Sequence, residues 1–285
     1  MRYGVPYTGS KNGIAKWVID NLPRAKNFVD VFAGGCAITH AALLSGKYEN
    51  FIANDLSPAP QLFLDAIHGK YRDEKRWISR EDFFRLKDTD AYVKYCFSFG
   101  NDGQTYMYGK GIEPWKKALH YAIVYDDKRL IAELLQRPEL HRGCESLERL
   151  HRLQSLERLH RLQSLENLKI TESDYRRVFI PEDAVIYCDP PYINTIDKYK
   201  NPINHEEFYQ WCERQENLVV VSEYTMPKDR FVRVSVKEKR QTLSATANNK
   251  VKEEGLYVPR AQEDLYWHVM EDEPMNEFYE RMSVK

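Results

Sequence analysis

The run Tyr187-Cys188-Asp189-Pro190-Pro191-Tyr192 follows the apolar residues Ala184, Val185 and Ile186. It sets a carboxylate, two rigid imino acids and an aromatic ring where a buried strand has to stop. Consecutive prolines bring no backbone N–H and fix two φ angles, so ladder pairing cannot continue past Asp189. The carboxyl ends of strands are where open α/β sheets bind ligands. A strand that merely ends in a proline turn would read the same way, so the weight falls on what stands at the other strand ends. From Val29 to Ala37, Val-Asp-Val-Phe-Ala-Gly-Gly-Cys-Ala passes from a β-like segment into small residues. Such residues let a helix start close to a ligand, and Asp30 can hold a polar group there. The run does not satisfy G-x-G-x-x-G and no phosphate-binding lysine follows, which argues against a pure phosphate cradle. Asp55 closes the next apolar run about 20 residues after Gly34, a position where an acid holds ribose hydroxyls or caps a helix.

These acids need a sheet to carry them. Residues 11–22 show a helical stripe at Ile14, Trp17, Val18 and Leu22, and 27–32 reads as a strand. Residues 37–46 read as a helix stopped by Gly46, 51–55 as a second strand and 60–69 as a second helix. This is the β-α-β-α opening of a doubly wound sheet. From 70 to 167 the rhythm gives way to helical segments with a turn at 100–103. Strands resume at 168–170, 183–188, 217–223 and 230–236. The expected organisation is a split sheet domain, 1–69 with 168–285, holding a mainly helical insertion at 70–167.

The insertion contains a tandem repeat. Ser-Leu-Glu-Arg-Leu-His-Arg-Leu-Gln at 146–154 recurs unchanged at 155–163, and a third copy begins at Ser164. Leucine stands at every third residue from Leu147 to Leu168. At about 100° per residue successive leucines step back by about 60°, so one straight α-helix cannot hide them all on one face. Burial on several sides, a break into short turns or a small solenoid would each accommodate them; the residue types favour helix.

Composition bounds the rest. A hydrophobic fraction of 42% with 30% charged residues suits a globular protein. No run approaches the roughly 18 apolar residues of a membrane span, and no signal-like segment opens the chain. The five cysteines form no C-x-x-C pair, so neither a zinc site nor a disulfide framework is indicated, and a cytoplasmic setting is expected. Net charge is −1, which disfavours nonspecific coating of nucleic acid but leaves room for a local basic surface. Residues 228–252 carry eight Lys/Arg against two Asp/Glu, a pattern shared with protected sheet edges. Tyr106, Tyr108 and Lys110, and Lys198 with Lys200 beyond the proline loop, suit stacking and phosphate contact. The charges of the repeat, Arg149, Arg152, Arg158 and Arg161 against Glu148, Glu157 and Glu166, read as a solvated surface of alternating sign.

In order along the chain, Tyr-Thr-Gly-Ser-Lys (7–11), Asp-Val-Phe-Ala-Gly-Gly (30–35), Asn-Asp (54–55) and Asp-Pro-Pro-Tyr (189–192) resemble the motifs of the Dam-like N6-adenine DNA methyltransferases, particularly phage-borne members. The resemblance covers roughly 5–68 and 168–256. It implies a Rossmann-like sheet using S-adenosylmethionine, with the inserted helical region reading double-stranded DNA from which the target adenine is flipped. Carried over by position, Tyr7, Lys11, Asp30, Phe32, Ala33, Gly34 and Asp55 would border the cofactor, and Asp189 would stand where cofactor and target amine meet. Asp189, Pro190, Pro191 and Tyr192 would form the catalytic loop, with no metal. Two positions depart from the pattern: Cys36 stands where a second loop glycine is usual, and Ser10 replaces a glycine of the first element.

That assignment gives the proline loop a chemical reason. The exocyclic amine of adenine is a poor nucleophile because its lone pair is delocalised into the ring. Asp189 and the Pro190 carbonyl can accept its two hydrogens and turn the lone pair outward, while the prolines preset both acceptors. Tyr192 offers a π face to a flipped base. Cys188 then has no chemical duty and belongs to the strand core. The same loop would suit an RNA adenine or the N4 amine of DNA cytosine, and a non-catalytic DNA-binding protein could retain the fold.

Overall fold

The computed structural model describes residues 2–192, 203–240 and 251–271. They form two compact units, each interrupted in sequence. One comprises Ile14–Ala33, Ile38–Leu56 and the described residues from Glu166 onward; the other comprises the residues up to Gly13, Gly34–Ala37 and Ser57–Leu165. These units cut the chain differently from the expected 1–69/168–285 and 70–167, because the helix following Asp55 and the first residues cluster with the insertion.

The first unit is built on seven strands: β1 (Asn27–Asp30), β2 (Asn50–Asn54), β3 (Leu168–Thr171), β4 (Ala184–Cys188), β5 (Leu218–Glu223), β6 (Phe231–Arg240) and β7 (Val251–Pro259). Their order is β3-β2-β1-β4-β5-β7-β6. β3, β2, β1, β4 and β5 run parallel, whereas β7 is antiparallel to both β5 and β6. Every residue of β1, β4 and β5 is buried, which is why these segments read as unbroken apolar runs rather than as alternation. On one side Val29, Val31, Ile186, Val219 and Val221 pack with Phe208 and Trp211 of the helix His205–Glu213. Asn204 starts that helix by accepting from the amides of Glu206 and Glu207 at 3.1 and 3.3 Å. Neither this helix nor β7 was foreseen from sequence. The chain runs outward from β1 to β2 and β3, then returns to β4 on the other side of β1. The β1–β4 boundary is therefore the topological switch point.

The second unit is helical, as expected of the insertion. Its helices span Ala59–Ile67, Arg80–Leu86, Ala91–Cys96, Glu113–Val124, Lys128–Leu134 and Glu145–Ser155. Ser79, Asp90 and Asp127 cap three of them. An aromatic core of Trp77, Phe83, Tyr92, Phe97, Tyr106 and Tyr108 ties them together. The tyrosines at 106 and 108 were expected to face DNA; instead Tyr106 donates to the carbonyl of Ile78 at 2.9 Å, and Tyr108 stacks on Trp77 with ring centres 5.2 Å apart. Both are buried, so neither can stack on a base.

The identical nine-residue copies fold differently. The first lies in the α-helix Glu145–Ser155, and the second, from Leu156 on, in the 3-10 helix Leu156–Arg161, reaching the start of the next 3-10 helix, Gln163–Asn167. A 3-10 helix advances 120° per residue, so leucines three apart stay on one face. The break at Ser155 thus resolves the drift that a single α-helix would impose. Leu147, Leu150, Leu153, Leu156 and Leu159 are all buried.

Candidate functional site

Parallel pairing places Asp30 opposite Ala53 on one side and Tyr187 on the other. Asp55 follows the last residue of β2, and Asp189 follows the last residue of β4. Register alone therefore sets three carboxylates at the carboxyl ends of three adjacent strands, flanking the switch point. Asn54 locks this edge: its amide nitrogen donates to the carbonyls of Val31 (3.0 Å) and Ser173 (2.9 Å), and its oxygen accepts from Thr171 and Ser173 side chains at 2.8 and 2.9 Å. The amide of Ala33 donates to the Asn54 carbonyl at 2.8 Å, pinning the loop after β1 to β2.

Asp30 is 1% exposed. Its Oδ2 accepts from the Thr39 amide at 3.2 Å and the Thr39 hydroxyl at 2.7 Å, in the first turn of the helix Ala37–Ser45. Its Oδ1 has no hydrogen-bond partner among the described residues. Burial pushes its carboxyl up to about 7; the Thr39 hydrogen bonds oppose this, and the negative charges of Asp189 and Asp55 add to it. Asp30 thus carries a buried oxygen without a hydrogen-bond partner among the described residues, beside the negative charges of Asp189 and Asp55. Phe32 turns into the core, with ring centres 5.6 Å from Tyr175 and 5.7 Å from Phe208, and so anchors the loop.

Past Asp189 the chain buries Pro190 and reaches Tyr192, which is 9% exposed. The Tyr192 hydroxyl donates to Oε1 of Glu254 on β7, and Ser222 of β5 donates to the same oxygen at 2.8 Å. The Tyr192 ring meets Tyr224 edge-on at 4.6 Å. Burial, with the nearby Asp189 and Glu254, raises the phenol well above its ordinary range and keeps it protonated. Sequence reasoning placed Tyr192 as an open stacking face; the structure shows a ring fixed from behind. It also missed Glu254, fully buried among these hydroxyls. Cys188 is buried, and burial first of all raises its thiol far above the reactive range, in keeping with a core residue.

Tyr7, Lys11 and Gly34 belong to the helical unit. Gly34 has φ +46°, and a Cβ there would lie 2.7 Å from the Tyr7 ring; one on Gly35 would lie 2.6 Å from the Cβ of Tyr7. The two glycines are thus required by the close packing of Tyr7. Cys36, standing where a glycine is usual, has φ +56° and is fully buried. It holds a backbone conformation that glycine adopts without strain. Lys11 is buried in the short 3-10 helix Lys11–Gly13.

The basic run at 228–252 is partly neutralised. Arg230 pairs with Glu206 and Glu213, and Arg233 with Glu253. Residues 241–250, like Lys198 and Lys200, lie outside the described residues. Within the described residues no group of three or more His, Cys, Asp or Glu could hold a metal ion, and no helix is long and apolar enough to cross a membrane.

A mixed sheet in this order, with acids ending its parallel strands and an Asp-Pro-Pro-Tyr loop at the switch point, defines a Rossmann-like methyltransferase fold. Residues 7–137 match the family model described as D12 class N6 adenine-specific DNA methyltransferase, in agreement with the resemblance carried by the motifs. Among solved structures, one titled conserved hypothetical protein, from Streptococcus pyogenes, is similar at 10% identity over 88% of this chain and 96% of that one, with a TM-score of 0.32. A likeness at that score carries no argument about function. No curated protein matches the sequence.

Proposed function

We propose that this protein transfers a methyl group from S-adenosylmethionine to the N6 amine of adenine within a specific sequence of double-stranded DNA, the adenine being flipped out of the helix. The observation that carries the reading is the trio Asp30, Asp55 and Asp189 at adjacent strand ends, with Asp30 held near neutrality and one of its oxygens unmet. The residues present fit the cofactor: a cationic ligand would offset the negative charges that Asp189 and Asp55 bring to bear on Asp30, and Asp55 would accept from ribose hydroxyls. When bound, the cofactor supplies an activated methyl on a sulfonium.

The chain's own residues prepare the amine. Asp189 and the Pro190 carbonyl accept its two N–H hydrogens and direct the lone pair outward, in positions that the two prolines preset. Asp189 is the acceptor for the proton lost as the amine is alkylated. Tyr192, held by Glu254 and Tyr224, walls the pocket against which the base rests. Neither a metal nor an enzyme nucleophile is called on. The helical unit, with its repeat, is the reader of DNA sequence. The test is transfer of tritiated methyl to unmethylated DNA followed by nucleoside analysis. Label in N6-methyladenine supports the reading; label in N4-methylcytosine, in RNA alone, or no transfer overturns it.

A further inference from the structure

The two copies of the repeat spend their arginines differently. In the first, Arg149 donates to the carbonyls of Tyr95, Cys96 and Ser98, and Arg152 to those of Tyr3 and Gly4. Their charges, expected from sequence to be solvated, are committed to backbone inside the helical unit. In the second copy Glu157 pairs with Arg72, while Arg158, the counterpart of Arg149, is exposed and has no hydrogen bond or ion pair among the described residues. Arg158 instead faces an open cleft of about 370 Å³ that it shares with Arg2, Glu148, His151, Arg152 and Ser155.

This cleft gathers three guanidinium groups and an imidazole against the single carboxylate of Glu148. Arg152 is held by its two carbonyl partners through Nε and Nη2, and its Nη1 makes no hydrogen bond among the described residues. Burial, and next the like charge of Arg2, bring Arg152 down to about 10, a repulsion that an anion between the two would relieve. Arg2, like Arg158, makes no ion pair among the described residues. A preorganised arginine flanked by two uncommitted ones suits a phosphodiester, which offers several acceptor oxygens to planar donor forks. Such contacts fix position without reading sequence.

We infer that the cleft of Arg2, Arg152 and Arg158 binds the phosphate backbone of duplex DNA. The inference rests on the DNA-methylating reading above and adds an anchoring site in which the second repeat copy supplies a cation that the first has already committed to the fold. The test is fluorescence anisotropy of a labelled unmethylated duplex, titrated over a range of salt, with the wild type and the variant Arg2→Gln/Arg158→Gln. Neither side chain has a hydrogen-bond or ion-pair partner among the described residues, so the thermal midpoint and cofactor affinity should be unchanged. The double variant should bind about tenfold more weakly at low salt, equally for unrelated duplex sequences, and its log–log salt slope should be shallower by about 1.8. An unchanged slope and affinity, with normal binding by the wild type, would overturn the cleft assignment and leave the function standing. A loss confined to one duplex sequence would also overturn it, because backbone contacts do not discriminate. Failure of the wild type to bind or methylate any duplex would defeat the function itself, and the cleft with it.

Discussion

The proposed function gives each strand-end acid its own duty, and substitutions should separate them. Asp189→Ala should leave the protein folded and lower methyl transfer about 10²-fold or more, since the acceptor lost is one used in the transition state. Single-turnover transfer of labelled methyl measures it, and near-normal turnover would remove Asp189 from the mechanism. Asp55→Ala should instead weaken cofactor binding, by about 1.5–3 kcal/mol for a charged acceptor, as read by calorimetry. Glu254 can be tested by a pair of variants. Glu254→Gln keeps an oxygen for the Tyr192 and Ser222 hydroxyls and should retain most activity; Glu254→Leu strands both and should lower kcat more than it raises KM for cofactor. Equal losses in the two variants would reduce Glu254 to a packing residue. The three acids could be read from the sequence because each stands within or just after a short apolar, strand-like segment, and such segments are local features. Glu254 could not: it lies 62 residues from Tyr192, in a polar stretch whose pairing partner had not been recognised.

At the scale of elements, the repeat shows what local sequence leaves open. Two identical strings have identical propensities, so only their surroundings can make one an α-helix and the other a 3-10 helix. The first copy has backbone carbonyls for both its arginines; the second lies against the helix Ala59–Ile67 and pairs Glu157 with Arg72. The same substitution in equivalent places should therefore have unequal effects. Arg149→Ala removes a guanidinium hydrogen-bonded to three carbonyls and should destabilise by about 1.5–3 kcal/mol. Arg158→Ala should stay within about 0.5 kcal/mol of wild type. Urea unfolding of the two variants provides the comparison, and matching losses would show that the copies are structurally equivalent. The β1-to-β2 rhythm and the helical insertion were legible because their periodicities are strong. The helix His205–Glu213 and β7 were not, since the first mixes charged residues with its aromatics and the second carries Lys252, Glu253 and Glu254 near its start, so neither stands out as an apolar run. Tyr106 and Tyr108 misled for a related reason: a glycine-rich setting reads as a surface loop, yet their rings fill the aromatic core.

For the whole molecule, the proposed site would couple folding, cofactor and pH through Asp30. An aspartate held at about 7 in the folded protein, against 3.8 ordinarily, binds its proton more tightly folded than unfolded. The stability that this proton contributes is fully present below about 3.8 and is lost as pH rises through about 7. Above that range the folded protein carries an ionised, buried Asp30 at a cost, and a cationic ligand can offset that cost. Cofactor affinity should thus increase as pH rises through about 7, in the direction opposite to Asp30's own contribution to stability. Paired acids elsewhere, such as Asp174 held down at about 2 beside Arg176, act only at much lower pH and do not disturb this window. Thermal midpoints with and without saturating S-adenosylmethionine, at about pH 6 and about pH 8, should show a larger cofactor-induced rise at the higher pH in the wild type. Asp30→Asn retains an acceptor for Thr39 but cannot ionise, so its midpoint without cofactor should fall less from about pH 6 to about pH 8. Its cofactor-induced rise should also be smaller and less dependent on pH. Comparing the two proteins cancels titrations common to both, including that of the cofactor's own amine. If wild type and variant show the same pH dependence, Asp30 is not the group that links proton and cofactor, and its unmet oxygen has no part in holding a cation.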